Sequence, residues 1–285
     1  MRVAFFRSDK AREGNLAEAF ATGARVHGDE VVVRELSGEP QVAEGCEAAC
    51  MIGVKSRELF QANWAAGIHT VMFDKGYSRH KAPGPIRGWE YWRVSVDAHH
   101  PTANLMKVKR PTDRLERLGL EIFPWRETGE HILLAGSSAK YHEFYGLKEP
   151  TTFAKDVVRA LRAITDRPII YRPKPSWRDA VPITKTRFSV LPESMMDVLT
   201  NAWATVTHGS NACFESVISG IPCIVLGDGV AKPISSTSLD EIAAPRLASD
   251  EERTEWAASL AYQQWTLAEF YSGEAWATIK GQIYA

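Results

Sequence analysis

The stretch that decides the fold reads THGSNACFESVISGIPCIVLGD and runs from Thr207 to Asp228. It contains the end of an apolar strand pattern, a small polar turn and a helix pattern that ends at Gly220. A second apolar run follows at once from Pro222. Strand, helix and strand in this order predict a parallel sheet flanked by helices, with the turn at the carboxyl edge of that sheet.

The polar turn is typical of a phosphate site. It consists of His208, Gly209, Ser210 and Asn211. Backbone N–H groups and the positive end of the helix dipole meet at such a turn. Ser210 and Asn211 are predicted to cap the helix and to donate to phosphate oxygens. Glu215 comes about one turn later, where a carboxylate can accept both hydroxyls of a ribose. A capped helix with a solvated glutamate is the alternative interpretation.

A second segment, IIYRPKP from Ile169 to Pro175, is a strand that runs into a basic turn. Arg172 and Lys174 alternate there with prolines, which restrict the chain and hold the two cations near the strand end. This arrangement favours a second phosphate contact. A solvated basic turn explains the segment equally well when it is taken alone.

Two further loops lie after predicted strands. The loop from Asp228 to Ser238 is polar and contains a glycine, and its candidate contacts to a phosphate-bearing ligand are Lys232, Ser235 and Ser236. An ordinary surface loop explains it equally well. The turn Gly136-Ser137-Ser138 is a weaker candidate of the same kind.

The pattern Gly-Ser-Asn-x3-Glu-x4-Gly-x-Pro resembles the C-terminal domain of GT-B glycosyltransferases, especially the branch of capsule-export, polysialyl- and glycerophosphate-transferases. The resemblance covers about residues 130–245. It implies that Ser210 and Asn211 bind the diphosphate of a nucleotide-sugar co-substrate, which is UDP-linked, and that Glu215 holds its ribose. Lys174 stands where this family usually has histidine, so we assign it to phosphate binding and not to proton transfer. The resemblance implies no bound cofactor and no metal.

Apolar periodicity predicts strands and helices along the whole chain. The predicted strands cover residues 2–6, 30–36, 49–54, 68–73, 91–96, 131–136, 168–172, 187–191, 204–207 and 222–226; helices are predicted at 16–27, after 55, at 151–165 and from 250 onwards. Prolines and glycines between 101 and 130 predict a linker. The expected fold is therefore α/β, with two domains facing a cleft and closed by C-terminal helices. The resemblance implies that these are the two Rossmann-like domains of the GT-B fold, with residues 1–128 as the acceptor-side domain and residues 129–285 as the nucleotide-sugar-binding domain.

A transferase of this kind needs a base that removes a proton from the acceptor hydroxyl. We predict Asp74, because it ends the buried strand VMFD and opens a basic loop. The other strand-end candidates are Asp9, His80, Asp97 and His99. The candidate acceptor contacts in the loop are Lys75, Arg79, His80 and Arg87. The alternative is that Asp74 caps a turn and that His80 is an exposed loop residue.

Basic and aromatic residues alternate in the segment 75–93, as phosphate backbones and stacked bases require. Sugars and surface loops use the same residues. The chain, including YWRVSVDAHHPTAN, is similar overall to glycosyltransferase-like proteins of tailed bacteriophages, which often modify hydroxymethylated pyrimidines in viral DNA. We therefore expect such a base in DNA as the acceptor. A polysaccharide or a lipid-linked saccharide is the alternative.

The composition sets wider limits. The 285 residues carry a net charge of −1, so no global field draws the chain to nucleic acid or to a membrane. No apolar run is long enough to span a bilayer, and the four cysteines fit no zinc or disulfide pattern. A cytoplasmic setting is expected, that of the host if the chain is viral. Two other function classes stay open: a nucleotide-sugar 2-epimerase and a non-catalytic nucleotide-binding protein.

Overall fold

The computed structural model describes residues 1–37, 39–54, 57–77 and 91–284. The predicted α/β class is confirmed, with one largely parallel sheet in each of two compact units. The first unit comprises Met1–Pro101, Arg114–Gly119 and Leu260–Ala285, and the second comprises Thr102–Asp113 and Leu120–Ser259. None of the helices in the described residues is long and apolar enough to cross a membrane.

The strands are β1 (Arg2–Arg7), β2 (Glu30–Glu35), β3 (Ala48–Ile52), β4 (His69–Lys75), β5 (Trp92–Val96), β6 (His131–Ala135), β7 (Ile169–Arg172), β8 (Arg187–Phe188), β9 (Ala202–Thr207), β10 (Cys223–Val225) and β11 (Gln264–Trp265). The helices are α1 (Ala11–Val26), α2 (Arg57–Ala65), α3 (Asp113–Arg117), α4 (Ala139–Phe144), α5 (Pro150–Ile164), α6 (Met195–Leu199), α7 (Ala212–Ile218), α8 (Asp250–Ala261), α9 (Leu267–Ser272) and α10 (Glu274–Ile283).

The first sheet has the strand order β11-β5-β4-β3-β1-β2. Strands β1 to β4 are parallel, whereas β5 runs antiparallel to β4 and β11 antiparallel to β5. All five residues of β3 are buried, as expected for a central strand that is covered on both faces. The parallel strands place their carboxyl ends, including Asp74 at the end of β4, along one edge of the sheet.

The C-terminal segment corrects the predicted domain boundaries, which assigned residues 129–285 to one domain. Strand β11 pairs with β5 of the first sheet, with Trp265 opposite Trp92. Helices α9 and α10 pack on α1, where the ring of Phe20 lies 6.2 Å from Phe270 and 5.1 Å from Trp276. These large aromatic side chains complete the core of the first unit, so residues 260–285 belong to it.

The buried carboxylate of Asp29 fastens α10 to the loop after α1. It accepts hydrogen bonds from Trp276 Nε1 at 2.7 Å and from Lys280 Nζ at 2.8 Å. The amino group of Met1 lies 2.7 Å away. Burial alone would raise the pKa of Asp29, but these three donors outweigh burial and lower the pKa from 3.8 to about 2.

We expect Asp29→Asn to lower the free energy of unfolding of the first unit by about 2 kcal/mol at neutral pH, the size that such a pKa shift represents. Because the pKa is lower in the folded state, this stabilisation is complete above about pH 4 and is lost as the pH falls towards about 2. Urea denaturation across that range measures the effect. The wild type should lose this part of its stability with falling pH and the variant should not, so identical pH profiles would contradict the assignment.

The second sheet is parallel throughout, with the strand order β10-β9-β6-β7-β8. Alternate residues of the central strand β6 face opposite sides. Ile132 and Leu134 lie in the hydrophobic cluster that includes the buried side of α5, and Leu133 and Ala135 lie in a separate cluster with Val198 of α6. Because all five strands are parallel, the loops after β6, β7, β9 and β10 meet at one edge.

Candidate functional site

The loops after β6 and β7 lie in direct contact at the carboxyl edge of the second sheet. The N–H of Gly136 donates to the carbonyl of Arg172 at 2.8 Å. A Cβ atom on Gly136 would lie 3.2 Å from Cα of Pro173, so the close approach of the two loops favours glycine. The basic turn predicted from the sequence therefore lies beside the turn that follows β6.

The loops after β9 and β10 are joined by a tyrosine that the sequence did not single out. The Tyr141 hydroxyl, on α4, lies 2.9 Å from the carbonyl of His208 and 2.8 Å from that of Asp228, and can donate to either. A Cβ atom on Gly209 would lie only 2.0 Å from this hydroxyl. The Tyr141 side chain can therefore occupy this position only if residue 209 is a glycine. No local pattern marks Tyr141, because its role depends on where α4 packs.

The polar turn before α7 is built partly as predicted. The Ser210 hydroxyl accepts from the N–H of Ala212 at 3.3 Å, which caps the helix. Asn211, in contrast, makes no side-chain capping bond, because its backbone (φ −60°, ψ −9°) is already helical and a cap residue needs extended backbone. The Thr207 hydroxyl accepts the N–H of Ser210 at 3.1 Å and that of Gly209 at 3.4 Å. Side chains of the turn itself thus hold its shape.

Two polar groups at this edge are suited to meeting a ligand. Ser137, directly after the central strand, is 5% exposed, and its hydroxyl has no hydrogen-bond partner among the residues that the structure describes. A buried hydroxyl without a partner costs free energy, which a bound acceptor group would recover. Burial, together with the nearby charges of His142 and Lys232, lowers the pKa of His208, although Asp228 opposes the shift. His208 is therefore a neutral hydrogen-bonding group at neutral pH.

The two predicted cations of the basic turn have different surroundings. Arg172 is buried, and its guanidinium donates to the Ser189 hydroxyl and to the Glu193 carbonyl, both at 2.7 Å. It thereby fastens the segment after β8 to β7, a role that the sequence did not predict. Lys174 is partly exposed beside a cavity of about 230 Å³. The other side chains that line this cavity include Trp177, Arg178, Phe188, Val190 and Leu191.

The loop after β10 corrects one predicted donor contact. Ser236 lies alongside β10, paired with Ile224. Its hydroxyl donates to the Glu241 carboxylate and accepts the N–H of Arg246, both at 2.8 Å. These two bonds commit the hydroxyl to the fold, because Ser236 extends the sheet edge instead of lying at the end of a strand. Ser235 beside it is 5% exposed.

Two further predicted contacts, Lys232 and Glu215, and one carboxylate without a predicted role, Asp228, belong to the second unit. Lys232 is exposed, close enough to His208 to affect its pKa. Glu215 lies one turn into α7 and is partly exposed. Asp228, which follows β10, accepts hydrogen bonds from the hydroxyls of Thr102 at 2.6 Å and Tyr145 at 2.5 Å. Its carboxylate is therefore held in one orientation, by partners that sequence reasoning missed.

In the first unit, β4 continues one residue beyond the predicted strand end at Asp74, to Lys75, and the Asp74 side chain is 34% exposed. One carboxylate oxygen accepts the N–H of Lys75 at 2.7 Å, and the other accepts from Arg93 at 3.1 Å. Asp97, a rival candidate, is bound instead to His69 at 2.8 Å and to the N–H of Thr70 at 2.7 Å. The remaining predicted acceptor contacts, Arg79, His80 and Arg87, lie outside the described residues.

No cluster of three or more histidine, cysteine, aspartate or glutamate side chains in the described ranges is arranged to hold a metal ion. The residues described above at the edge of the second sheet include hydroxyls, a neutral imidazole, ammonium groups and the carboxylates of Glu215 and Asp228.

No protein-family model and no curated protein matches the chain. Among solved structures, the chain is similar to KpsC of Thermosulfurimonas dismutans, described as a β-Kdo 2,4 transferase, with a TM-score of 0.54, 15% identity and coverage of 91% of this chain and 90% of that one. It is also similar to the β-Kdo 2,7 transferase of the same protein, with a TM-score of 0.59, 12% identity and coverage of 97% and 99%. The chain has a GT-B glycosyltransferase fold. At this identity the GT-B fold is what the likeness establishes.

Proposed function

We propose that the chain transfers a sugar from a nucleotide-linked donor to an acceptor hydroxyl. The observation that carries this proposal is the meeting of four polar loops at the carboxyl edge of the second sheet. In open α/β sheets this edge is where ligands bind. It presents Lys174 and Lys232, the capped turn at Ser210 and the buried hydroxyl of Ser137. The GT-B fold supports a transferase over a simple binding module.

The donor in this proposal is a nucleoside diphosphate sugar, UDP-linked as the sequence resemblance implies. Lys174 and Lys232 would stabilise the negative charge that develops on the leaving phosphate, which is usually the largest contribution to such catalysis. The cavity beside Lys174 would take the nucleoside, because Trp177 and Phe188 offer aromatic surface for a base. Glu215 would accept the ribose hydroxyls, and Ser210 and Asn211 would donate to the diphosphate.

Asp74 is the proposed base in the first unit. Its carboxylate is fixed by Arg93 and Lys75 and stays partly exposed, as a group that meets an acceptor must. The acceptor itself is a hydroxyl of a saccharide or of a hydroxymethylated pyrimidine in DNA. Three of the four predicted acceptor contacts, Arg79, His80 and Arg87, fall in the segment 78–90, outside the described residues. The cytoplasmic setting stays a prediction.

Donor binding tests the site assignment directly. We expect Lys174→Ala to weaken binding of a UDP-sugar by roughly 10- to 100-fold, because the charge-assisted hydrogen bond that it removes is worth about 1.5–3 kcal/mol. Glu215→Ala should weaken it by a smaller factor and should affect free uridine as well. Isothermal titration calorimetry measures both. The matched control is Lys155→Ala, which removes an exposed lysine from α5. Unchanged affinity in the Lys174 and Glu215 variants would contradict the site assignment.

Turnover then decides the reaction class. The chain is incubated with a panel of nucleotide sugars that differ in base and in sugar. Each reaction also contains an acceptor, which is either hydroxymethylated DNA or an oligosaccharide. The masses of the products are measured by mass spectrometry. A mass gain on one acceptor supports transfer and identifies its class. Conversion of the nucleotide sugar without acceptor would indicate a 2-epimerase, and binding without any conversion would indicate a nucleotide-binding protein. Either result would contradict the proposed function.

A further inference from the structure

A buried arginine occupies the middle of a polar cluster in the first unit. The Arg93 side chain, on β5, is only 6% exposed. One terminal nitrogen donates to the Tyr77 hydroxyl at 3.0 Å and lies 2.6 Å from Nδ1 of His100. The other donates to Asp74 at 3.1 Å and lies 2.7 Å from Nε2 of His99. These contacts use all four N–H groups of the two terminal nitrogens.

A permanent charge at this depth is unfavourable unless every donor is matched and a counter-charge is near. Burial alone lowers the pKa of Arg93, but electrostatic interactions and hydrogen bonds with Tyr77 and Asp74 outweigh burial and raise the pKa above its ordinary value. Arg93 is therefore charged at every relevant pH. Asp74 supplies the counter-charge, which ties the arginine to the strand end where the base is proposed.

The same arginine determines which ring nitrogens of the two histidines carry a proton. Because a guanidinium only donates, the nitrogens that face it, Nε2 of His99 and Nδ1 of His100, must accept and carry no proton. Burial and the charge of Arg93 both lower the pKa of His99. Both rings are nearly fully buried. His99, one of the strand-end candidates for the base, is thus neutral and turned towards Arg93.

Asp74 differs from these histidines because it reaches solvent. Its side chain is 34% exposed, yet each oxygen is held by a donor from a different strand: Lys75 N–H on β4 and the guanidinium of Arg93 on β5. Two donors on two paired strands fix both the position and the rotation of the carboxylate. An aspartate that rotated freely at a strand end would have neither a fixed position nor a fixed orientation.

We propose that Arg93 is a positioning residue for Asp74. This inference rests on the proposed function, in which the Asp74 carboxylate takes the proton of the acceptor hydroxyl. The acceptor oxygen then bonds to the anomeric carbon of the donor, and the bond from that carbon to the leaving phosphate breaks with its electron pair. Arg93 touches none of these reacting atoms. It acts by holding the carboxylate that does.

A double-mutant cycle tests this inference. The variants are Asp74→Asn, Arg93→Lys and the two combined, each assayed for kcat, for the KM of the donor and for nucleotide binding. Arg93→Lys keeps the charge but cannot make the four hydrogen bonds of a guanidinium. We expect it to lower kcat by roughly 10- to 100-fold, the effect of a displaced catalytic group, while the donor KM and nucleotide binding stay unchanged.

Non-additivity is the decisive result. Asp74→Asn alone should lower kcat at least tenfold, and adding Arg93→Lys should lower it no further, because the arginine acts through a carboxylate that is already absent. Effects that multiply in the double variant would overturn the inference. A kcat that is unchanged by Arg93→Lys, or unchanged by Asp74→Asn, would also overturn the inference. The proposed function would stand in either case, because transfer would still occur. Absence of transfer by the wild type with every acceptor would overturn the proposed function, and this inference with it.

A second buried arginine of the same unit provides the matched control. Arg114 is 3% exposed, donates to Glu269 at 2.6 Å and stacks 3.7 Å from the ring centre of Trp265. Arg114→Lys should lower the melting temperature about as much as Arg93→Lys while leaving kcat at the wild-type value. Equal losses of kcat in the two lysine variants would mean that Arg93 only supports the fold, and would overturn the inference.

Discussion

Gly209→Ala is expected to weaken donor binding at the second sheet by roughly 100-fold or more, because two loops of the site depend on this position. The new methyl group would lie 2.0 Å from the hydroxyl of Tyr141 and 2.2 Å from its Cζ atom. Tyr141 is 4% exposed and bound between two carbonyls, so its ring must leave the site and release both. Calorimetric titration with a UDP-sugar measures the loss.

Two further variants separate the clash from its side effects. Tyr141→Phe removes the hydroxyl and its hydrogen bond but keeps the ring, so it should cost only about 1 kcal/mol of stability and leave donor binding largely intact. Gly281→Ala adds a methyl group that meets no atom within 4 Å, so it should leave donor affinity unchanged. Donor affinity close to wild type in Gly209→Ala would show that the turn tolerates displacement of Tyr141 and does not form the site.

Gly23→Ala should destabilise the first unit by about 3 kcal/mol or more, at the upper end of what overpacking costs. Its Cβ atom would lie 1.9 Å from the carbonyl oxygen of Phe270 and 2.9 Å from Cα and N of Gly273. These are backbone atoms of the segment at α9, so no side-chain rotation relieves the contact. Helices α1 and α9 must separate, and the aromatic packing of Phe20 on Phe270 and Trp276 is lost with them.

The same helix offers a close control for this substitution. A Cβ atom on Gly14 would meet only the end of the flexible Arg7 side chain, at 3.3 Å. Gly14→Ala should therefore be neutral or stabilising by up to about 1 kcal/mol, the gain in helix propensity. Urea denaturation of both variants, followed by tryptophan fluorescence, gives the comparison. Equal stabilities of the Gly14 and Gly23 variants would contradict the tight packing of α1 on α9.

Much of the second unit could be predicted from local sequence. Strand β6 was expected at 131–136 and covers His131–Ala135, and helix α5 was expected at 151–165 and covers Pro150–Ile164. Both are apolar patterns bounded by glycine, proline or polar turns.

The start of α1 was placed too late, at residue 16, because its first turn from Ala11 is largely polar and carries no helical apolar stripe. Strand β8 is only Arg187–Phe188, shorter than the expected 187–191.

The parts that could not be predicted depend on contacts distant in sequence. Arg93 looked like one more cation in a basic and aromatic segment, yet it is buried against residues from β4 and from the turn after β5. Arg172 was expected to face a phosphate, but Ser189 and the Glu193 carbonyl take up its guanidinium. Periodicity shows which residues are buried. It does not show which buried polar groups meet.

The return of residues 260–285 to the first sheet has a consequence for synthesis on the ribosome. Most of the first unit emerges early, but its core lacks β11, α9 and α10 until residues 260–285 follow. The second unit, all of which lies between residues 102 and 259, is available sooner. Folding should therefore run against the order of translation, with the half made first completed last, and a nascent chain halted near residue 259 should expose apolar side chains of the first unit to chaperones.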